Sequence, residues 1–354
     1  MSSKHYAKTI DTLTNRQGEL VELSILRATQ KDPLRQYTPY QMQKIRQDTA
    51  YNLQYLAESL LLESDDLWEN YVRWLSFLLQ SLGISKQSLA RHFDHLGEVL
   101  AEELDSEGYT RVRTLLHHGK KLVLQEEITQ NPGLDPAAPL YEQAQIYKNF
   151  LLTAQKDKAL AHIRDLAEAG TDIRKLYLNI LQPVQREIGN LWHANKISVA
   201  QEHYSTGLTQ LAIAQLYPRM FSAESKHHRM IGACVSGELH EIGLRMITDI
   251  MELDGWDTHY LGANMPSESI VQSAVDHKID LIAISVTFPL NLHKAEDLIS
   301  AIRNENQLKH VKIMVGGYPF INDPGLWMKI GADSTAADAS LVSRIATSLV
   351  EKSA

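Results

Sequence analysis

Apolar and polar positions along the chain follow two periods and mark out three stretches. Up to about residue 130 the apolar residues recur at helical spacing. Thr38, Pro39 and Gln41 open one helix with a hydroxyl cap, a proline in the first turn and a glutamine at the capping-box position. Ile45, Leu53, Leu56 and Leu60 follow it, with Tyr51 and Tyr55 among them. Further helices are predicted from Asp65 to Leu82, from Ser85, and from near Tyr109. In the first 35 residues the segment ELVELSIL admits either a short strand or a segment packed on the helices. QNPGLDPAAP, Gln130 to Pro139, has the composition of a linker. Beyond it, Tyr141 to Ala169, Asp172 to Trp192 and Ser198 to Leu216 again read as helices, the last opened by a Ser198/Gln201 capping box. Together they are about the size of a four-helix bundle.

After FSAESKHH, Phe221 to His228, the pattern changes. MIGACVS, DTHYL, DLIAISVT and VKIMVGG are short apolar runs separated by segments of helical period, and a fifth run fits Ala332 to Thr335. Strands alternating with helices predict a parallel, five-stranded, flavodoxin-like (Rossmann-type) sheet that binds its ligand beyond the C-terminal strand ends. The expected organisation is a helical domain over 1–130, a helical bundle over 140–217 and an α/β domain over 229–354.

Composition narrows the function classes. The chain has 354 residues, 44% hydrophobic and 22% charged, as expected of a multidomain globular protein. It contains one cysteine, Cys234, which rules out an internal disulfide and a cysteine-rich metal site and fits a cytoplasmic location. The start is too polar for a signal peptide, and no apolar run is long enough to span a bilayer. A formal net charge of −8 speaks against a broad electrostatic grip on nucleic acid. Ile84 to Gly97 superficially suggests a helix-turn-helix, but it lacks a clear turn glycine and runs into the acidic GEVLAEELD, so direct DNA binding is not expected.

The candidate chemistry lies in the first strand–helix junction, S-G-E-L-H-E-I-G, Ser236 to Gly243. A dinucleotide site would want G-x-G-x-x-G there. Instead His240 stands between the glycines, able to ligate a metal through one ring nitrogen while Glu238 holds the other. The alternative is a histidine at a helix start with no ligand. Two later strand ends, Ser285-Val286-Thr287 and Gly316-Gly317, carry small residues that would leave a slot for a long ligand tail.

These residues carry a resemblance. E-L-H-E-I-G is similar to the D-x-H-x-x-G signature of cobalamin-binding domains, with Glu238 at the usual aspartate, and SVT and GG match that family's two later motifs. The resemblance implies cobalamin with His240 as the lower cobalt ligand, Gly243 closing the motif, and the nucleotide tail passing Ser285, Thr287, Gly316 and Gly317. L-W-H-A-N-K-I-S-V-A-Q-E-H, Leu191 to His203, resembles the W-x9-E-H pattern of CarH-type light sensors at Trp192, Glu202 and His203. That likeness implies adenosylcobalamin beneath the bundle, photolysis of its cobalt–carbon bond, and His193 as upper ligand after light. It further implies a light-dependent homo-oligomer signalling to an unidentified protein effector.

The alternative is a corrinoid methyl carrier of a methyltransferase system, which shares the architecture. A zinc hydrolase built on His193, Glu202 and His203 is disfavoured because no H-E-x-x-H spacing occurs. The first block resembles photocobilins through IRQDTAYNLQYLAESL and LWENYVRWLSFLL. This implies a non-covalent biliverdin against Tyr51, Tyr55, Trp68, Tyr71 and Trp74, with Arg46 and Arg73 for its carboxylates. The competing reading is a helical packing domain.

Overall fold

The computed structural model of the chain describes residues 5–31, 37–125, 127, 133–220, 227–336 and 339–352. Two compact units divide it, Met1–Thr129 and Gln130–Ala354.

Among the described residues, six helices build the first unit: α1 (Ala7–Asn15), α2 (Gln17–Lys31), α3 (Pro39–Leu61), α4 (Asp65–Ser81), α5 (Lys86–Glu103) and α6 (Ser106–Gln125). The Thr38 hydroxyl accepts the Gln41 N–H and the Gln41 side chain accepts the Thr38 N–H, closing the capping box at α3. ELVELSIL is helical, inside α2. Its buried Leu20, Val21, Ser24 and Ile25 repeat at one helical face while Glu19 and Glu22 are exposed, a period that no half-buried strand can satisfy. Helix α5 runs unbroken through most of the segment compared above with a helix-turn-helix.

Large fully buried side chains make this unit's core, among them Leu53, Leu56, Trp68, Phe93, Leu96 and Leu100. Trp68 donates its indole N–H to the Leu115 carbonyl at 2.7 Å. It lies so close to α6 that a Cβ on Gly119 would stand 2.8 Å from the indole nitrogen. His92 is less well served, because its buried Nε2 has no hydrogen-bond partner among the described residues.

The second unit begins with α7 (Tyr141–Leu152) and α8 (Lys156–Glu168). The single helix predicted here is broken at Ala154, which takes a left-handed φ of 55°. A continuous helical run follows: α9 (Ile173–Leu176), a π-turn (Tyr177–Leu181) and α10 (Gln182–His193). Helix α11 (Val199–Leu216) then returns, capped by Ser198 and Gln201 as its sequence predicts. The connectors 221–226 and 130–132, and residues 337–338 of IGADSTAADA, lie outside the described residues.

The remainder alternates strands and helices: β1 (Arg229–Val235), α12 (Ile242–Leu253), β2 (Asp257–Met265), α13 (Ser267–Asp276), β3 (Leu281–Ser285), α14 (Leu292–Asn304) and β4 (Lys312–Gly316). Two short helices, α15 (Tyr318–Asn322) and α16 (Leu326–Lys329), precede β5 (Ser334–Thr335) and the closing α17 (Val342–Glu351). The sheet order is β2-β1-β3-β4-β5, with every pair parallel. This is the predicted doubly wound order, and it places the switch point between β1 and β3.

Helix α12 serves two cores. Its Leu244 and Met251 pack toward the sheet with Met230, Leu281 and Val342. Its Met246 and Ile250 join the core of the helical bundle, with Leu176, Tyr177, Ile180, Val184 and Leu208. No described helix is long and apolar enough to cross a membrane.

Burial pushes the His92 imidazole down to about 4. The unfolded chain takes up this proton near pH 6.5, whereas the folded chain refuses it until about pH 4. Stability is therefore lost as the pH falls between these values, by on the order of 2 kcal/mol. Replacing His92 with Phe should flatten that part of the profile, read as urea midpoints at pH 7.5 and pH 4.5. An equally steep acid loss in the variant would show that other groups cause it.

Candidate functional site

The C-terminal ends of the three central strands lie side by side. Cys234 of β1 is in register with Ser285 of β3, and Ser285 with Gly316 of β4. The loops that leave these ends define the switch-point crevice, where a doubly wound sheet takes its ligand, and Glu238 organises them. Its side chain is fully buried. One carboxylate oxygen accepts the backbone N–H of His240 at 3.0 Å and its Nδ1–H at 2.5 Å. The other oxygen accepts the N–H groups of Thr287 at 2.8 Å and Phe288 at 2.7 Å, in the loop after β3. Burial works against the charge, but the bonds from His240 and Phe288 outweigh it and hold the carboxyl at about 2. The bond to Glu238 in turn raises the His240 imidazole above its ordinary value.

His240 therefore presents Nδ1 to a fixed carboxylate, and its side chain is 64% exposed. The glutamate arm, one methylene longer than the usual aspartate, reaches both loops. Asn264, at the end of β2, secures the same turn. Its backbone N–H donates to the Glu238 carbonyl at 2.9 Å and its side-chain oxygen accepts the Gly237 N–H at 2.7 Å.

The slot residues divide by role. Among the described residues, a Cβ on Gly316 or Gly243 would meet nothing within 4 Å, so both border open space there. Gly317 has the opposite constraint. It sits at φ +119°, and a Cβ there would stand 1.9 Å from the Val286 carbonyl oxygen, so only glycine lets β4 and the loop after β3 approach this closely. Ser285 is buried, and Thr287 contributes its backbone N–H to Glu238. Burial pushes the neighbouring Cys234 thiol up to about 12, which leaves it protonated and inert.

On the bundle side, Trp192 and His193 end α10 and are half-buried, while Glu202 stands in the first turn of α11 and His203 follows it. Asn195, left-handed at φ 54°, turns the chain between the two helices. Glu202 accepts from His203 Nδ1 at 2.5 Å and from the Thr206 hydroxyl at 3.1 Å. It lies near enough to His240 for its charge to add to the rise in that imidazole.

Two groups of residues escaped the sequence reading. Glu241 accepts from Tyr260 Oη at 2.9 Å, from the Ala263 N–H at 3.1 Å and from Gln210 of α11 at 2.8 Å. Tyr177, in the π-turn, donates to the buried Asp249 of α12 at 2.8 Å. Asp249 also lies 2.9 Å from the Arg245 guanidinium, which sits between the rings of Tyr217 and Tyr260. Only Glu241 carried a signal, as the acidic residue just after the motif histidine.

In the first unit, the residues offered for a bilin are placed differently from one another. Tyr55, Trp68 and Tyr71 are buried in the core, with the two tyrosine rings stacked at 3.8 Å and the Tyr71 hydroxyl donating to Asn52. Arg46 pairs with Glu22 at 2.7 Å, and Arg73 lies 3.9 Å from Glu69. Tyr51 is half-buried and Trp74 is 41% exposed.

Comparison with known proteins places this site in a family. A B12 binding domain model matches residues 228–341, which hold the crevice, and a second B12 binding domain model matches 144–217, which hold the bundle. Dimethylamine corrinoid protein 3 of Methanosarcina mazei is 30% identical over 120 residues, covering 34% of this chain and 70% of that one. The chain belongs to the family of B12-binding corrinoid proteins. Dimethylamine corrinoid protein 1 of Methanosarcina acetivorans is 28% identical over 196 residues, covering 54% of this chain and 89% of the relative. The monomethylamine corrinoid protein of Methanosarcina barkeri shares the fold, with a TM-score of 0.53 and 22% identity, over 60% of this chain and 100% of that one.

Membership in this family corrects the light-sensor expectation, and with it the light-dependent homo-oligomer. The relatives are methylamine corrinoid proteins, not photoreceptors. The physical reason is that W-x9-E-H describes a cover over one face of the crevice. A half-buried tryptophan and two polar side chains do not specify which substituent lies beneath them.

Removing the Glu238 carboxylate should release both loops at once. Glu238→Ala leaves the N–H groups of Thr287 and Phe288 without their acceptor and should cost about 3 kcal/mol, read by urea unfolding. Loss of less than about 0.5 kcal/mol would mean that the loops are held by other contacts. Gly317→Ala should destabilise by a comparable amount through its backbone clash, and near-wild-type stability there would show that the β3 loop yields.

Proposed function

We propose that the protein is a corrinoid methyl carrier, holding its cofactor between the helical bundle and the C-terminal edge of the sheet. The observation that carries this reading is the Glu238–His240 pair at the end of β1, inside a B12-binding region whose relatives are methylamine corrinoid proteins.

The residues present fit such a group. With Nδ1 committed to Glu238, His240 has its second ring nitrogen to offer a cobalt from the sheet side. Glu238 fixes the tautomer, keeps a proton at Nδ1 and makes the opposite nitrogen a better donor. Gly316, Gly317 and Ser285 line the slot a nucleotide tail would take, with Gly316 leaving the space that a side chain would fill. Trp192, His193, Glu202 and His203 would then form the opposite wall and limit the access of water. When bound, the corrinoid supplies a cobalt that accepts a methyl group from one partner and releases it to another. A carrier of this kind works with a separate methyltransferase rather than catalysing the transfer by itself.

Reconstitution of the full chain with cobalamin tests the reading. In the reduced Co(II) state, with the protein labelled with nitrogen-15 histidine, the electron paramagnetic resonance spectrum of the wild type should show the two-line coupling of a protein imidazole rather than the three-line coupling of the cofactor's own base. His240→Ala should lose that coupling and weaken binding at least tenfold. A spectrum unchanged in His240→Ala would remove the assignment. Methyl release to a thiol acceptor in the dark, in the presence of a methyltransferase, would support the carrier role. A bound corrinoid that exchanges no methyl group with any such partner would count against it.

A further inference from the structure

His240 stands just beyond a tight turn, and the neighbours of that turn decide which way its central peptide points. The Glu238 N–H donates to the Val235 carbonyl at 3.0 Å, closing a turn over Val235, Ser236, Gly237 and Glu238. Gly237 occupies the third position at φ +81°, and Ser236 is not among the residues with positive φ. That combination is a type II turn. Types I and II differ by a rotation of the central peptide, here Ser236–Gly237, through about 180°, and glycine accepts both. The turn therefore has two states open to it unless the peptide is held.

Both ends of the peptide are held. The Ser236 carbonyl accepts from the Lys294 ammonium of α14 at 3.0 Å, and the Gly237 N–H donates to the Asn264 side-chain oxygen at 2.7 Å. The side-chain oxygen of the buried Asn291 accepts from the same ammonium at 3.0 Å and steadies it. The ammonium lies so near the turn that a Cβ on Gly237 would stand 2.8 Å from it. Rotating the peptide would swing its N–H toward the ammonium and its carbonyl toward the Asn264 oxygen. Two hydrogen bonds would be exchanged for donor against donor and acceptor against acceptor.

We propose that Lys294 is a positioning residue for His240, locking the Ser236–Gly237 peptide in the orientation from which Glu238 reaches both His240 and the loop after β3. The inference rests on the corrinoid reading above. A turn locked in advance sets the histidine before a cofactor arrives, so ligation does not carry the cost of ordering the loop. Asn264 also donates to the Glu238 backbone carbonyl, so its loss would disturb more than the peptide. Lys294 reaches the turn at the Ser236 carbonyl, which makes it the cleaner probe.

The test uses the full chain labelled with nitrogen-15 histidine and loaded with cobalamin in the Co(II) state. Lys294→Met keeps the length of the side chain and removes the ammonium. The ratio of cobalt showing the two-line coupling to cobalt without it should fall at least threefold. Gly237→Ala disfavours the positive φ and should move that ratio in the same direction. In the double variant the two losses should not add, because both release one peptide. Without cofactor, the Gly237 amide resonance of Lys294→Met should show microsecond-to-millisecond exchange that the wild type lacks. Amide hydrogen exchange across 292–304 should stay at wild-type rates, which separates a freed peptide from a loosened α14.

Wild-type ratios in both Lys294→Met and Gly237→Ala would overturn the proposal, as would fully additive losses or faster exchange throughout α14. If His240→Ala leaves the cobalt spectrum unchanged, the corrinoid reading fails. If His240 proves to be the ligand and both turn variants keep the wild-type ratio, only the lock fails.

Discussion

The ionised, fully buried carboxylate of Glu238 is the constraint on which the site depends. A charge taken out of water is tolerated only when its oxygens are supplied with donors. Here the donors come from two loops far apart in sequence, the one after β1 and the one after β3. Neither loop can move away without leaving the charge uncompensated. The same carboxylate selects the His240 tautomer, so the wall of the crevice and the chemistry of its histidine are fixed by one residue. Asn264 braces the turn from β2, which makes the loop end of the sheet stiff on the side that must meet a cofactor.

The bundle side is organised differently. Its contacts with the sheet domain are partly apolar, through Met246 and Ile250, and partly polar, through Tyr177–Asp249, Arg174–Asp254 and Gln210–Glu241. The apolar part is non-directional and supplies adhesion. The polar part fixes orientation, since each bond requires a particular side chain of α12, or of the residues capping its two ends, to meet a particular helix of the bundle. The sharp crevice geometry thus comes from hydrogen bonds, while the area buried beneath it keeps the two layers together.

Much of this was legible because it is local. The apolar runs and the turns between them announce the sheet, and the Thr38/Gln41 and Ser198/Gln201 boxes mark their helix starts within a residue. The motif around His240 was readable for the same reason, since the bonds from His240 to Glu238 span two residues. What stayed hidden is non-local. Asn264 meets Gly237 only because of the β1–β2 register, and Tyr177 meets Asp249 only through the packing of α9–α10 on α12. ELVELSIL was ambiguous because a short apolar run fits either period until its neighbours bury one face. The light-sensor reading failed at a different level, where a local pattern was asked to specify a ligand it does not touch. Pro183 stands inside the helix predicted from Asp172 to Trp192, and a proline there signals a disturbance without saying that the chain will absorb it as a π-turn.

Helix α12 belongs to two hydrophobic cores at once, giving Leu244 and Met251 to the sheet and Met246 and Ile250 to the bundle. The boundary between the two B12-binding regions, clear in sequence, is therefore not a seam in the molecule. Evolution could not have exchanged one bundle for another as a free module, because a new bundle would have to fit the outer face of a helix encoded with the sheet. Recombination among corrinoid proteins should accordingly preserve the pairing of a bundle with its own α12. A designer who grafts a foreign bundle onto this sheet must transplant the outward residues of that helix with it.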